Sequence, residues 1–431
     1  MKDKMIIPKA KGVDNTLSLI REGYHFLPSR HKELESPIFV TRLMGKKAVC
    51  IQGEEAAKIF YDEKIFKRKG AAPKPLQKSL LGEGGVHGQD GEEHRQRKRM
   101  FLSMMTPERL EEMVRLTVEE LDAKAAEWET KESIIFLDEI EEVLSRAVYR
   151  WAGLPIEERE VEHRTREIAD MVDSFGGSVT RFNAGRKARQ SQEKWLREII
   201  KMIRSGKYDP PAATPAYIVA NHRVAKGRLL KAKTAAVELN NAYRPLIASA
   251  YLLTLGILAL HEFPEIKEKL SADQNHYSHL FTQEVRRFYP FAPAMAAKVK
   301  RDFTWKSFPF KKNTLVVLDI FGTNRHPDSW ENPDVFIPER FENWKGNPYS
   351  FLPQGGGDYS TGHRCPGEWA TIMVMKAIFR YMTQNITYEV PDQDLTYTLN
   401  RMPTMPNSGM ILTNIRKQKK SVTNIISTEW L

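Results

Sequence analysis

The chain has 431 residues, 41% of them hydrophobic and 28% charged, the balance of a soluble globular protein with a large core. A net charge of +11 fits a lysine-rich solvated surface; with no arginine-rich arm carrying interleaved aromatics, nucleic acid is not implied as a partner. Two cysteines in a chain this long exclude a disulfide framework.

Length alone suggests two or three domains. The N-terminus, "MKDKMIIPKAKGVDNT", lacks the apolar run of a signal peptide. "SPIFVTRLMG" and "KKAVCIQG" read as a β-hairpin turning at Gly45 and Lys46, with Cys50 as a small buried hydrophobe. "EEAAKIFYDEKIF" reads as a helix. The glycine-rich loop Gly82–Gly91 leads into a basic helix, "EEHRQRKRMFLSMM". From Pro107 to about Ile203 helix follows helix, and "SGKYDPPAATP" is a loop. A helix from Thr234 to about His261 comes next. Its Leu246–Leu260 run is shorter than a membrane span, which needs roughly 18 apolar residues or more, and contains Ser249 and Thr254. A buried core helix, no transmembrane segment and a cytoplasmic location are expected. "DQNHYSHLFTQEVRRFYPF" is a helix stopped by Pro290. Strands follow, with turns at Lys306–Ser307 and Lys312–Asn313. Beyond Asn332 lies a long irregular segment that ends at Cys365, where another helix starts; the Ile386–Ile415 tail is strand-like. A mainly α body with a smaller β-rich region is expected, without internal repeats.

Three stretches carry chemistry. In "PQGGGDYSTGHRCPGEW", Cys365 follows a glycine loop and precedes a helix. A helix N-terminus lowers a thiol's pKa, and His363 and Arg364 add donors or positive charge. Such a thiolate serves as a nucleophile, an exchange thiol or a metal ligand. Exchange needs a nearby second cysteine, zinc needs several ligands in register, and haem iron needs one axial thiolate. On this loop alone, an inert cysteine and a haem ligand stand level. In "QEVRRF", Glu284 and Arg287 lie three apart on one helix face. "FIPERF" adds Arg340. Each is weak alone; their order and spacing are specific.

Together they resemble the cytochromes P-450, the haem-thiolate oxygenases, over nearly the whole chain as a single unit, 1–431. The resemblance implies haem b buried between the long central helix and the cysteine loop, with Cys365 on the iron. It implies that Glu284, Arg287 and Arg340 form the network bracing that loop, and that His363 and Gly357 belong to the cofactor site. One departure stands out: seven residues before the cysteine, where the family has phenylalanine, this chain has Asp358 in a longer loop. His94, Arg97 and Lys98 share one helix face at i, i+3 and i+4, and with the resemblance they are candidates to contact the haem propionates rather than a solvated basic face.

The central helix reads "VELNNAYRPLIASAYLLT". No acid–threonine pair, which helps most of the family split O₂, occurs in it; Arg244 and Pro245 stand there instead. Proline removes an N–H and clashes with the carbonyl of Asn241, a cost of about 3 kcal/mol that predicts a kink. A buried guanidinium needs a partner, and no carboxylate sits at a neighbouring helical position. A distant acid, solvent, or a ligand carboxylate remain open for Arg244. The Arg-Pro pair with the long cysteine loop resembles the fatty-acid peroxygenase subgroup. That resemblance implies Arg244 and Pro245 as a catalytic pair holding a long-chain fatty acid, hydrogen peroxide as oxidant, oxidation at Cα or Cβ, and no required redox partner. His87, in "GGVHGQDG", matches the position where decarboxylating members carry histidine, so alkene formation stays open. Leu81, Ala294, Met295 and Ala296 are candidates to line the substrate channel. A reductase-dependent monooxygenase and a non-catalytic haem protein that binds fatty acids are the alternatives.

Overall fold

The computed structural model describes residues 6–224, 227–273, 276–418 and 425. Helices dominate, as the 3.6-residue periodicity predicts. The helix Pro107–Trp128 starts at the Thr106 cap, whose hydroxyl accepts from the Arg109 N–H, with Pro107 where its missing N–H costs nothing. It packs against Phe136–Ala152 and against the helix that follows the cysteine. We label the elements that build the site: α1 (Thr16–Glu22), α2 (Gly91–Leu102), α3 (Glu158–Asp173), α4 (Val179–Arg204), α5 (Ala232–Ile247), α6 (Ala250–Glu262), α7 (His276–Phe288) and α8 (Glu368–Gln384).

The strands are β1 (Ile38–Leu43), β2 (Lys46–Ile51), β3 (Phe66–Lys67), β4 (Ser133–Ile135), β5 (Ala294–Val299), β6 (Phe303–Trp305), β7 (Phe308–Phe310), β8 (Leu315–Asp319), β9 (Ile386–Glu389) and β10 (Ile411–Lys417). They form a five-stranded sheet in the order β1-β2-β8-β5-β3, a three-stranded sheet β4-β10-β9 and the hairpin β6-β7. Only the β2–β8 pairing is parallel. The first hairpin pairs Leu43 with Lys46, so its turn is Met44–Gly45, one residue earlier than the sequence suggests. Both residues have positive φ, the two-residue turn that matches strand twist. The helix expected over 54–66 stops at Phe60, because Phe66 is taken into the sheet opposite Val299. The start expected for α7 includes Gln274 and Asn275, which lie outside the described residues.

The central helix is two pieces. α5 carries Arg244 and Pro245; the break falls at Ala248–Ser249, just after the proline, and α6 resumes the axis. Taken together, Ala232–Glu262 is long and apolar enough to cross a membrane, but 94% of its apolar window is buried inside the fold. It is a core element. Gly256 permits that position: a Cβ there would come within 2.3 Å of the Phe379 ring on α8.

Candidate functional site

The cysteine loop is held from several sides. The Cys365 N–H donates to the Gln354 carbonyl at 3.0 Å. Arg286 on α7 donates to Gln354 at 2.9 Å and to Glu368 at 2.6 Å, and Arg364 donates to the other Glu368 oxygen at 2.5 Å. Burial pushes the Glu368 carboxyl up, but Arg286 and Arg364 outweigh it and hold it below the usual range. Two glycines let the loop close. A Cβ on Gly356 would lie 2.3 Å from the Pro348 carbonyl, and Gly357, with φ of +78°, backs onto the Tyr61 ring. Asp358 accepts from Ser360 Oγ, Thr361 N and Thr361 Oγ1 at 2.6–2.7 Å. The family's phenylalanine is thus replaced by a turn-forming carboxylate, which suits a longer, solvent-facing loop.

Beneath the loop lies the brace. Arg287 holds Glu284 with two bonds of 2.7 Å; Arg340 joins at 3.2 Å, and the Ile337 N–H at 2.8 Å. The guanidiniums also donate to the carbonyls of Pro333, Glu331 and Val335. This ties α7 to the proline-rich segment before the cysteine.

Cys365 is half-exposed although protein atoms surround it. Burial pushes its thiol up, against the Gly367 N–H, Lys98 and Arg286, which pull it down. The helix start alone does not lower it, contrary to the sequence-based expectation: desolvation is the larger effect. A metal ion on the sulfur reverses this by taking the thiolate directly.

On α2, His94, Arg97 and Lys98 are all buried. They diverge. His94 stacks on His363 with ring centroids 3.8 Å apart, and its Nδ1 has no partner. Lys98 donates to the Arg364 carbonyl and sits over the Tyr359 ring. Arg97 turns the other way and donates to Glu238 on α5. The expectation that this one face presents three cations to one anionic group therefore changes: Arg97 has a buried protein carboxylate. Arg68, absent from the sequence reading, joins the His94 side. It is buried over the Phe60 and Tyr61 rings, with Nε and Nη1 unpartnered. Its only sequence signal is the short basic run "FKRKG". Glu63, His94 and His363 could hold a cation by geometry, their ligand atoms lying within 4.8 Å. The surrounding Arg68, Lys98 and Arg95 charges favour an anion instead.

Arg244 belongs to α5. It is buried, donates to Asn241 Oδ1 at 3.5 Å, makes no ion pair among the described residues, and its Nε is unpartnered. Burial first, and then Arg189, push its pKa down to about 9, so it remains a cation at neutral pH; the field of Cys365 reaches it. Asn241 also accepts from Arg189 Nη1 at 3.4 Å and donates to Glu238 at 3.2 Å. Arg189 on α4 is otherwise saturated by Leu80 O, Asn240 and Glu193. It too escaped the sequence reading, since nothing local marks a mid-helix arginine as buried.

The His87 side chain is exposed by accessible surface yet sits within a dense shell of protein atoms, where it feels Arg244, Arg189 and His94. Burial and those cations push its pKa down to about 3, so the ring is neutral near pH 7. Leu81 ends the turn that precedes Gly82, next to Arg189. Ala294, Met295 and Ala296 lie in β5, where side chains alternate. Met295 accepts from the Tyr61 hydroxyl at 3.2 Å and packs on the cluster under the large sheet, so the three residues do not line one wall.

A lone thiol, an underpartnered arginine and a neutral histidine thus lie within one electrostatic neighbourhood, Arg244 feeling Cys365 and His87 feeling Arg244. The unpartnered donors of His94 and Arg68 beside His363 suit carboxylates. A metal macrocycle bearing carboxylates fits this donor set.

The cytochrome P450 family model matches residues 266–415. Among curated proteins, cytochrome P450 3A29 of Sus scrofa is 29% identical over 162 residues, and psoralen synthase of Pastinaca sativa is 30% identical over 115. These matches cover 33% and 26% of this chain and 31% and 24% of those proteins, so the chain spans under a third of the length of these two curated relatives. Solved structures match throughout. Cytochrome P450EX alpha with myristic acid superposes with a TM-score of 0.93 at 42% identity, covering 96% of this chain and 100% of that one. A variant of cytochrome P450 OleT in complex with arachidonic acid superposes with a TM-score of 0.94 at 35% identity and the same coverage. Cytochrome P450SP alpha in complex with (R)-ibuprophen gives 0.92 at 41%, covering 94% and 99%.

Proposed function

This chain belongs to the cytochrome P450 family, and on that premise we propose that it is a peroxygenase that oxidises long-chain fatty acids beside the carboxylate. The carrying observation is Arg244: a buried cation short of a partner, within electrostatic reach of Cys365 and His87. Solved relatives hold myristic acid, arachidonic acid and ibuprofen, all carboxylic acids.

Haem iron, as haem b, would be held by the Cys365 sulfur, with Gly357 and His363 in the loop around it, and would supply the oxygen-transfer chemistry. His94 and Arg68 offer their unpartnered donors to the propionates, and Lys98 secures the loop through Arg364 O. Glu284, Arg287 and Arg340 brace that loop. Arg244 binds the fatty-acid carboxylate with its fork of donors and so fixes which carbons face the iron. The anchored carboxylate accepts a proton from hydrogen peroxide and returns it to the departing oxygen, the work of a general acid–base. One substrate C–H becomes C–OH as peroxide becomes water. Pro245 interrupts the helix beside the anchor, and neutral His87 offers a donor to the carboxylate end. On this reading Leu81 and Ala296 remain the candidates for the substrate channel, whereas Ala294 packs on the cluster of Phe26, Leu27 and Phe39. On this reading no redox partner is required, and the cytoplasmic location stays an expectation of the sequence.

The test is direct. Purified protein is incubated with a fatty acid and hydrogen peroxide, without reductase, and products are analysed by mass spectrometry. Hydroxy acids or terminal alkenes are expected. Turnover only with an added reductase system assigns a monooxygenase instead; a haem spectral change without product under either condition assigns a non-catalytic binder.

A further inference from the structure

Ten large apolar side chains are exposed among the described residues, and five of them precede residue 45. Four gather on one face: Val13 at 87% exposure, Leu17 at 67%, Ile20 at 44% and Met44 at 47%. They are brought together by hydrogen bonds, not by chance of sequence. Asn15 N–H donates to Arg42 O at 2.8 Å, Met44 N–H to Thr16 Oγ1 at 2.5 Å, and Gly45 N–H to Asp14 Oδ2 at 2.7 Å. The segment before α1 is thereby fastened to the tip of the β1–β2 hairpin. α1 itself has no buried residue, and its Leu17 and Ile20, three apart, share one outward stripe.

The charges around this face are one-sided. Between Lys9 and Lys47 stand eight lysines and arginines against four carboxylates. Glu22 is taken by Arg30, Glu33 by Lys11, and Asp14 by the turn bonds above. Lys9, Arg21, Arg42, Lys46 and Lys47 are exposed and make no ion pair among the described residues. The face continues toward the α3–α4 turn. α1 runs into Tyr24, which packs with Phe321 and Met402, and Phe175 of the α3–α4 turn packs on that cluster. Val179, at the start of α4, is 77% exposed.

An apolar stripe ringed by unpaired cations has the composition of a surface that lies in the headgroup–acyl boundary of a bilayer. We propose that this face docks the protein peripherally on an anionic lipid bilayer, with Leu17, Ile20, Val13 and Met44 entering the boundary and Lys46, Lys47, Arg42, Arg21 and Lys9 against anionic headgroups. The occupant is a membrane rather than a protein because the cations are many, mobile in their side chains and spread around the rim, which suits a fluid array of anions. Nothing in this proposal uses the fatty-acid reading, and the test contains no fatty acid, so either can fail alone.

The full-length holoprotein is mixed with vesicles of phosphatidylglycerol and phosphatidylcholine, or of phosphatidylcholine alone, and sedimented. The bound fraction is expected to rise with phosphatidylglycerol and to fall in high salt. L17E/I20E is expected to lower partitioning about tenfold or more, and K46E/K47E by roughly tenfold. Both variants alter exposed side chains, so thermal melts are expected to match the parent. The proposal is overturned if the parent does not bind phosphatidylglycerol vesicles, or if both variants bind as it does. It is also overturned if the parent sediments as a dimer in solution that L17E/I20E converts to monomer, which assigns the face to a second copy of this chain.

Discussion

Two buried arginine clusters flank the cysteine, and their arithmetic differs. At Glu284, two guanidiniums and a backbone amide converge on one carboxylate, and their remaining donors reach carbonyls. At Asn241, two guanidiniums share one neutral amide oxygen, at 3.4 and 3.5 Å, and Arg244 Nε has nothing. Of the neighbouring carboxylates, Glu193 is held by Arg189 and Glu238 by Arg97. A saturated cluster stabilises; a cluster one anion short is prepared for a ligand. The comparison teaches that burial of charge does not by itself mark a site. The deficit does.

Arg287→Leu should bring the largest loss of stability, about 3–5 kcal/mol, because it strips the main partner from a fully buried carboxylate. Denaturant melts and retention of haem check it. Arg244→Leu removes a cation that lacks an anion, so its melt should be unchanged or raised. If it falls as far as that of Arg287→Leu, the contrast between the clusters is wrong. The same change should lower kcat/KM for fatty acids by about 100-fold or more, roughly 2.7 kcal/mol of transition-state binding.

Asn241→Ala sharpens the comparison. It removes the amide that orients Arg244, and a bond to a charged group is worth roughly 1.5–3 kcal/mol. The dissociation constant for a fatty acid should rise about tenfold, read by titration, while binding of a neutral haem ligand such as imidazole stays the same. The smallest effect concerns pH. His87, pushed down to about 3, is protonated to roughly 1% or less at pH 5 and above. The kcat/KM profile of the free enzyme between pH 5 and 8 should therefore show no histidine inflection near 6.5, and His87→Gln should leave its shape unaltered. An inflection that disappears in His87→Gln would mean that desolvation and the two cations beside it act more weakly than the structure implies.

The comparison also separates what could be read early. Glu284 and Arg287 were legible because three residues of helix put them on one face; Arg340 because a proline-defined turn follows at a specific spacing. The Arg-Pro pair was legible because proline in a helix has a known cost. His94, Arg97 and Lys98 were correctly grouped by helical spacing, but their partners were not foreseeable: Lys98 reaches a carbonyl 266 residues away, and Arg97 a carboxylate 141 away. Arg189 carried no local signal, and Arg68 only the short basic run around it. Ala294–Ala296 shows a different limit: the stretch was placed at the channel, but strand alternation turns Met295 to Tyr61.

By itself, then, the sequence determined the helical class, the order of the motifs, the lone thiol at a helix start and the arginine at a proline. All of these follow from local rules of spacing, capping and backbone chemistry. Only the tertiary structure decided which buried charges are satisfied. Pairing across a hundred residues or more depends on how helices pack, and desolvation, which raised the Cys365 thiol and lowered His87, exists only once the surrounding chain has closed around them.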